Sequence, residues 1–251
     1  MDAKPEEAGA AVARHYAELL APVYVWMSGG AQAGLARARQ LVAELGLAAH
    51  APGLAVDLGA GPGFHARTLA EAGFEVLAID SSGELLAELE QARDGLAIRT
   101  RRGELGTFER ELGGRRAELL VCLGDTLTHL GSEREVDVLL AAAARSLASG
   151  GKLVLTFRDY SLERRPSECL IPVRREPGRV FTCALDFEAT HVLVTDMLHE
   201  WRDGRWVERR SSYRKLRLAP GALGGKLRAL GFVVERDTSV GGLVTLVGST
   251  P

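Results

Sequence analysis

The sequence predicts an α/β fold, with a mostly parallel sheet of seven strands and helices on both faces. Two observations support this prediction. From Leu54 to about residue 157, short apolar runs alternate with helical patterns, which is typical of βαβ units. Near the end of the chain, two further apolar runs flank Gly241 and Gly242, and this turn indicates an antiparallel pair of strands.

The first fifth of the chain has two helical patterns, at residues 7–21 and 33–48, separated by Tyr24 to Gly30. We expect residues 1–50 to form a helical lid. The alternating region follows. Its strands are expected near 54–58, 75–79, 96–101, 118–123 and 152–157, and its helices near 64–72, 82–93 and 132–147.

The pattern changes after residue 160. Residues 171–218 read as a run of strands, with turn signals at Pro177-Gly178 and Asp203-Gly204. We therefore expect residues 161–218 to form an inserted antiparallel β subdomain. In residues 192–202, neither of the two faces formed by alternate residues is cleanly polar. We therefore expect other parts of the protein to cover both faces of that strand.

The last part of the chain returns to the core. A helix is expected from about Pro220 to Leu230, with Gly231 as its C-cap. Strands are expected at 232–238 and 243–248. The catalytic core would then comprise residues 51–160 and 219–251.

The composition argues against several classes of protein. The 251 residues carry a net charge of −2, so bulk electrostatics indicates neither nucleic acid nor a membrane as a partner. The acidic start has no apolar signal segment, and Cys122, Cys169 and Cys183 are odd in number and far apart, so we expect a cytoplasmic protein with reduced thiols. No Cys/His cluster has zinc spacing, so no metal is expected. The oligomeric state is not predicted.

A glycine loop is the most informative feature of the sequence. Asp57 ends an apolar run, and Gly59, Gly61 and Gly63 follow it before a helical pattern begins. Glycines allow a ligand to approach the bare main chain, and the helix N-terminus offers unpaired N–H groups. A second apolar run ends in Asp80, where a carboxylate can accept both hydroxyls of a ribose. We infer a site for a cofactor that contains adenosine.

Two cofactors fit this pattern. The residues from Gly61 to Ala66 also match the dinucleotide fingerprint, with Asp80 about twenty residues further on. Asp57 argues against a dinucleotide, because a carboxylate beside the loop would repel a pyrophosphate. The same carboxylate would attract a ligand that carries an ammonium and a sulfonium.

The stretch from Val56 to Gly63 resembles motif I of class I S-adenosylmethionine-dependent methyltransferases, and Asp80 matches the ribose-binding acid of that family. The resemblance implies a Rossmann-like core and S-adenosyl-L-methionine as cofactor. It also implies that Glu104 and Leu105, after the third strand, meet the adenine; an exposed loop glutamate is the alternative. The implied cofactor-binding residues of the core are Asp57, Gly59, Ala60, Gly61, Gly63, Phe64, Asp80, Ser81, Glu104, Leu105, Leu123 and Gly124.

The loop after the fourth strand should face the transferable methyl group, because ligands bind at the carboxyl ends of strands. Asp125 and His129 are four residues apart, so one helical turn would place them on one face. They are candidates for orienting or deprotonating a nucleophile. Alternatively, His129 packs in a short turn and Asp125 caps the following one.

A narrower resemblance, to glycine N-methyltransferase and its relatives, rests on short pieces. They are Gly124 to Leu130, Arg158 to Tyr160, and the lid stretch that contains Tyr16 and Trp26. It implies that Arg158 holds a substrate carboxylate, that Tyr160 belongs to the catalytic site, and that Tyr16 and Trp26 help to bind the cofactor. The lid aromatics could instead be core residues. Arg158 could instead pair with Asp159 or Asp125.

The sequence thus predicts methyl transfer to a nitrogen or oxygen of a small-molecule acceptor. The narrower resemblance implies that this acceptor is a carboxylate-bearing amine. A general base is unnecessary if an amine binds neutral. An NAD-dependent oxidoreductase and a non-catalytic S-adenosylmethionine-binding protein remain as alternatives. The basic run Arg209, Arg210, Tyr213, Arg214 and Lys215 is expected to be a solvated strand face, and no nucleic acid is expected as a partner.

Overall fold

The computed structural model describes residues 5–49, 53–162 and 164–251. Its central sheet has seven strands in the order β10-β11-β5-β4-β1-β2-β3. All neighbours pair in parallel except β11, which is antiparallel to both β10 and β5. The strands are β1 (Leu54–Leu58), β2 (Glu75–Asp80), β3 (Ile98–Arg102), β4 (Ala117–Cys122), β5 (Leu147–Arg158), β10 (Val233–Val240) and β11 (Leu243–Ser249). The predicted fold class is confirmed.

The central strands are apolar because both faces of the sheet are covered, as is usual for parallel sheets. All five residues of β1 are buried. One face packs against helices that include α6 (Glu133–Ser146) and α7 (Pro220–Ala229), and the other against α3 (Ala31–Glu44), α4 (Phe64–Glu71) and α5 (Gly83–Ala92). Because β1 lies between β2 and β4, the strand order reverses there, and such a point leaves a crevice at the carboxyl ends of the strands.

The N-terminal helices differ from the prediction. The chain stays helical from Pro5 to Met27, through α1 (Pro5–His15), a wide turn at Tyr16–Leu20, a tight turn at Ala21–Val23 and α2 (Tyr24–Met27). In the wide turn, the Ala21 N–H donates to the Tyr16 carbonyl five residues earlier. Pro22 follows at once; it has no N–H to give, so regular helical bonding is interrupted there. The expected break comes only at Gly29 and Gly30, both with φ +91°.

The insert is the predicted antiparallel sheet, in the order β6-β7-β8-β9. Its strands are β6 (Leu170–Glu176), β7 (Arg179–Phe187), β8 (His191–Arg202) and β9 (Arg205–Leu216). One face of β8 is buried through Val192, Val194 and Leu198, which pack with neighbouring strands and the lid. The other face is half-buried along most of β8, so the expected cover is complete on one side and partial on the other.

The expectation of a solvated basic face on β9 was also wrong in part. Arg210 and Arg214 are exposed, but Tyr213 and Lys215 are buried. Alternate residues of a strand point to opposite faces, so Tyr213 and Lys215 share the inner face. Two smaller differences concern the core: a short helix at Leu105–Leu112 was not predicted, and β5 begins earlier than expected.

Within the described part of the chain, no helix has the length and apolar character that crossing a membrane requires.

Candidate functional site

Two neighbouring cavities lie at the carboxyl ends of the central strands. The first cavity has an empty volume of about 720 Å³ and lies above β1, β2 and β3, beneath the lid. Its wall comprises Gly9, Val12, Tyr16, Tyr24, Gly59, Gly61, Asp80, Ser81, Leu85, Gly103, Glu104, Leu105, Gly124, Thr126, His129 and Leu130. It therefore occupies the crevice that the strand order predicts.

The three loop glycines have different neighbours, although all have positive φ (+76°, +55° and +83°). A Cβ at Gly59 would overlap the Thr126 side chain, and one at Gly63 would overlap Leu89. A Cβ at Gly61 would meet no atom within 4 Å, and Gly61 lines the first cavity. Gly59 and Gly63 thus serve internal packing, whereas Gly61 leaves open space where a ligand can approach the backbone.

Asp80 stands at the tip of β2 and is tied to the glycine loop. Its Oδ2 accepts the Gly61 N–H at 2.8 Å, and its Oδ1 accepts the Ser82 N–H at 2.8 Å. Burial raises the pKa of Asp80, and these backbone N–H groups partly offset that effect. A carboxylate has about four lone-pair sites, so each oxygen can still accept one hydroxyl from the cavity.

Asp57 lies beneath the loop and is 1% exposed. It accepts the backbone N–H of Ala66 in the first turn of α4, but its Oδ2 has no hydrogen-bond partner among the described residues. Burial, followed by repulsion from Asp80, raises the pKa of Asp57 to about 7. A buried, under-satisfied carboxylate is costly, and a cation in the adjacent cavity would compensate it. This donor set fits a cationic cofactor better than a pyrophosphate.

Eight of the residues expected to bind the cofactor line the first cavity: Tyr16, Gly59, Gly61, Asp80, Ser81, Glu104, Leu105 and Gly124. The other six do not. Asp57 and Gly63 are described above, Ala60 and Leu123 belong to the core, and the Phe64 ring packs on Gly34. Trp26 lies under the Arg179 guanidinium, 4.3 Å from its ring centroid, so it joins the lid to the insert.

The second cavity lies between the core loops, the lid and the inner face of the insert, with an empty volume of about 1010 Å³. It shares Tyr16, Tyr24, Gly124 and His129 with the first cavity. All four residues expected to be catalytic line it: Asp125, His129, Arg158 and Tyr160. The structure thus brings the predicted catalytic residues together.

Asp125 is the centre of a buried network. Its φ is +80°, and its Oδ1 accepts the Arg158 backbone N–H at 2.8 Å. Its Oδ2 accepts the Tyr160 hydroxyl at 3.4 Å and the Lys215 ammonium at 2.5 Å. Burial alone would lower the pKa of Lys215, but Asp125, Tyr213 and Tyr160 together raise it well above its usual range. Asp125 is therefore a paired carboxylate that holds the loop, rather than a free base.

The His129 ring packs between aromatic rings. Its ring centroid lies 5.7 Å from that of Tyr16 and 5.5 Å from that of Tyr213, both in edge-on geometry. Burial, with the nearby charges of Lys215 and His15, holds the pKa of His129 well below its usual range. The imidazole is therefore neutral at physiological pH and can accept a hydrogen bond where the two cavities meet.

Arg158 presents an exposed side chain to the second cavity. Neither expected partner takes its guanidinium: Asp125 pairs with Lys215, and Asp159 accepts the N–H and hydroxyl of Ser161. No ion pair of Arg158 is found in residues 5–49, 53–162 and 164–251. Arg164 lines the same cavity. The N–H donors of the Arg158 guanidinium are thus available to bind an anionic group.

The sequence analysis did not predict that several further residues belong to the site. Lys215 and Tyr213 were assigned to a solvated face, although the alternation along β9 could have separated them from Arg214. Tyr24 stacks with Tyr16 at 6.4 Å in the first cavity. His15 Nε2 and Asp196 Oδ2 form a hydrogen bond of 3.0 Å, which connects the lid to the insert. No sequence signal links residues this far apart.

Comparison with known proteins decides the class of the core. Residues 55–151 match a family model described as a methyltransferase domain. This range is a methyltransferase domain. The match spans β1 to the start of β5 and includes the glycine loop, Asp80 and Asp125. The recognition made from the sequence is confirmed.

Curated relatives of the methyltransferase domain are glycine/sarcosine N-methyltransferases. The protein from Parasynechococcus marenigrum is 33% identical over 150 residues, 59% of this chain and 51% of its own length. The one from Halorhodospira halochloris is 36% identical over 107 residues, 42% of this chain and 40% of its own length. The chain thus spans about half the length, or less, of these relatives.

Solved structures of methyltransferases share the fold over most of this chain. The methyltransferase CcbJ from Streptomyces caelestis has a TM-score of 0.71 at 22% identity, covering 87% of this chain and 95% of its own. CalS10, an amino pentose methyltransferase from Micromonospora echinaspora solved with S-adenosylmethionine, has a TM-score of 0.68 at 19% identity, covering 87% and 92%. At these identities the likeness concerns the fold.

Proposed function

We propose that the protein transfers a methyl group from S-adenosylmethionine to the amine of a small molecule that also carries an anionic group. The observation that supports this best is the meeting of the two cavities at Gly124 and His129. One cavity offers a ribose acceptor beside a glycine loop, and the other offers the guanidinium groups of Arg158 and Arg164. A cofactor and an acceptor can therefore face each other across this junction.

In the first cavity, Asp80 would hold the ribose hydroxyls and Gly61 would allow close approach to the backbone. Glu104 and Leu105, which line the same cavity, would meet the adenine. Asp57 would compensate the positive charge of the cofactor from beneath the loop. When bound, S-adenosylmethionine would supply a methyl group on a sulfonium, whose thioether leaves without needing an acid.

In the second cavity, charged residues of the chain would help the acceptor amine to bind in its neutral form. Arg158 and Arg164 face this space, whereas the charge of Lys215 is neutralised by Asp125. Nearby positive charges and burial both lower the pKa of a bound ammonium. The amine can then bind neutral, with its lone pair available. As the new N–C bond forms and the S–C bond breaks, the nitrogen becomes cationic, and its proton can pass to solvent. Proximity, alignment and exclusion of water by the lid would supply the remaining acceleration.

The proposed role of Arg158 can be tested by Arg158→Lys, which keeps the charge but loses the planar fork. Acceptors with and without a carboxylate would be assayed on wild type and variant, with the exposed Arg210→Lys as matched control. We expect a loss of turnover of about tenfold or more on carboxylate acceptors alone, with unchanged cofactor affinity. Equal losses on both kinds of acceptor would refute the carboxylate assignment.

A further inference from the structure

We infer that the acceptor carries a bulky apolar group, in addition to its amine and its anionic group, and that the inner face of the insert binds this group. This inference rests on the proposed methyl transfer. It sets the protein apart from an enzyme whose acceptor is no larger than glycine or sarcosine.

The insert presents an apolar wall to the second cavity. Leu185 on β7 lies opposite Val194 on β8, and Val194 lies opposite Tyr213 on β9. Ile171 on β6 lies opposite Cys183 on β7. All five side chains line the second cavity. They occupy one face of the sheet because residues two apart on a strand share a face.

The lid adds to this wall. Leu20, from the wide helical turn, and Met27, from the end of α2, line the same cavity. Phe181 and Leu198 of the insert pack with Leu20 in one cluster, so the lid and the sheet form a continuous apolar surface. A methionine adapts its shape to irregular apolar ligands.

The charged end of the cavity comes from different elements. The Asp159 N–H donates to the Gly242 carbonyl at 3.0 Å, which holds the residues just after β5 against the terminal hairpin. The Arg164 guanidinium reaches the same hairpin: its Nη2 lies 3.7 Å from the position of a Cβ at Gly242. Arg158 and Arg164 therefore both flank the β10–β11 turn, and Gly241 of that turn also lines the cavity. The cavity is cationic on this side. Along the insert it is mostly apolar, and the two charged residues there, Asp196 and Lys215, are paired with His15 and Asp125.

The second cavity has room for a ligand with two parts. Its empty volume, which includes space open to solvent, is about 1010 Å³, against about 720 Å³ for the first cavity. Glycine has no side chain, so a glycine held at Arg158 would leave the insert's wall without contacts. Apolar groups gain affinity by leaving water for such a wall. An amine with an anionic group and a branched or aromatic body would use both parts.

Equilibrium binding tests this inference without turnover. The protein would be saturated with S-adenosylhomocysteine and titrated calorimetrically with glycine, norvaline, leucine and phenylalanine. We expect affinity to rise along the series and to be about tenfold or more greater for phenylalanine than for glycine. Equal affinity across the series, or no binding by any member, would overturn the inference.

A variant of the wall makes the test specific. Val173 lines the second cavity and is 40% exposed, so Val173→Asp should fold. We expect it to weaken binding of phenylalanine about tenfold while leaving glycine unchanged, because a carboxylate would lie beside the apolar group. The control is Val233→Asp on β10, at 59% exposure. Equal effects of the two variants on phenylalanine binding would contradict the assignment of the wall.

Methyl transfer, measured on the same amino acids, separates this inference from the proposed function. A rising affinity series without any methylated product would refute the proposed function and leave the inference about the wall intact. Methylation of glycine with no gain along the series would support the proposed function and overturn the inference.

Discussion

The Lys215 ammonium and the Asp125 carboxylate form a buried ion pair, with 2.5 Å between Nζ and Oδ2. Lys215 belongs to the last strand of the insert, and Asp125 to the loop after β4 of the methyltransferase domain. The pair therefore fastens the insert to the loop that separates the two cavities. Through the Arg158 N–H, the same carboxylate also fixes the end of β5.

The first prediction concerns this pair. Lys215→Met would leave the Asp125 carboxylate buried without its cation, and we expect the free energy of unfolding to fall by about 3–5 kcal/mol. Adding Asp125→Asn should recover much of the loss, since asparagine is neutral and tolerates positive φ. Denaturant unfolding of the single and double variants measures both effects. A single variant within about 1 kcal/mol of wild type would contradict the structural role of the pair.

The second prediction uses two glycines of one loop. Gly61→Ala places a methyl group in open space, so we expect an unfolding penalty limited to roughly 1–2 kcal/mol for the left-handed backbone, together with a marked loss of cofactor affinity. Gly63→Ala collides with Leu89 and should destabilise the fold more. Thermal melts and calorimetric titration with S-adenosylmethionine would be compared. Normal cofactor affinity in Gly61→Ala would show that the loop does not contact the ligand.

The third prediction follows from Asp57. Its pKa is raised from 3.8 to about 7 in the folded protein, so between these pH values the folded state binds more protons than the unfolded state. Stability of the cofactor-free protein should therefore fall as pH rises from about 4 to about 7, with a contribution on the order of 4 kcal/mol from this group. Asp57→Asn should remove that contribution and flatten the profile.

Unfolding measured at pH 5 and pH 8 on wild type and Asp57→Asn checks this prediction. Asp80 contributes a slope of the same sign, because its pKa is also raised, and this slope remains in both proteins. Identical pH dependence in the two proteins would mean that Asp57 is not the buried acid that titrates near neutral pH.

The sequence was sufficient for the features that depend on local pattern. The period-two and helical patterns predicted the seven-stranded sheet and the antiparallel insert. The spacing from Gly61 to Asp80 predicted two residues of one site, and both line the first cavity. Asp125 and His129 reached one cavity because a single short turn connects them. Each of these features requires only the chain direction and the position of strand ends.

Features that depend on contacts between distant segments could not be predicted. The partner of Asp125 is Lys215, 90 residues away, and the partner of His15 is Asp196, 181 residues away. The sequence shows that these groups are titratable but not which face of the insert meets the lid. The same reason applies to the contact of Trp26 with Arg179, since aromatic residues in a lid can face either the ligand or the neighbouring sheet.

The most direct test of the central claim is transfer of a labelled methyl group from S-adenosylmethionine to small amines, with S-adenosylhomocysteine measured as coproduct. We predict equal amounts of N-methylated product and S-adenosylhomocysteine. In Asp80→Asn, turnover at subsaturating cofactor should fall about tenfold or more, because hydrogen bonds from the ribose to a charged acceptor are lost. The exposed Asp186→Asn, as control, should behave like wild type. Tight binding of S-adenosylmethionine without labelled product from any amine, or preferential binding of NADH, would contradict the account.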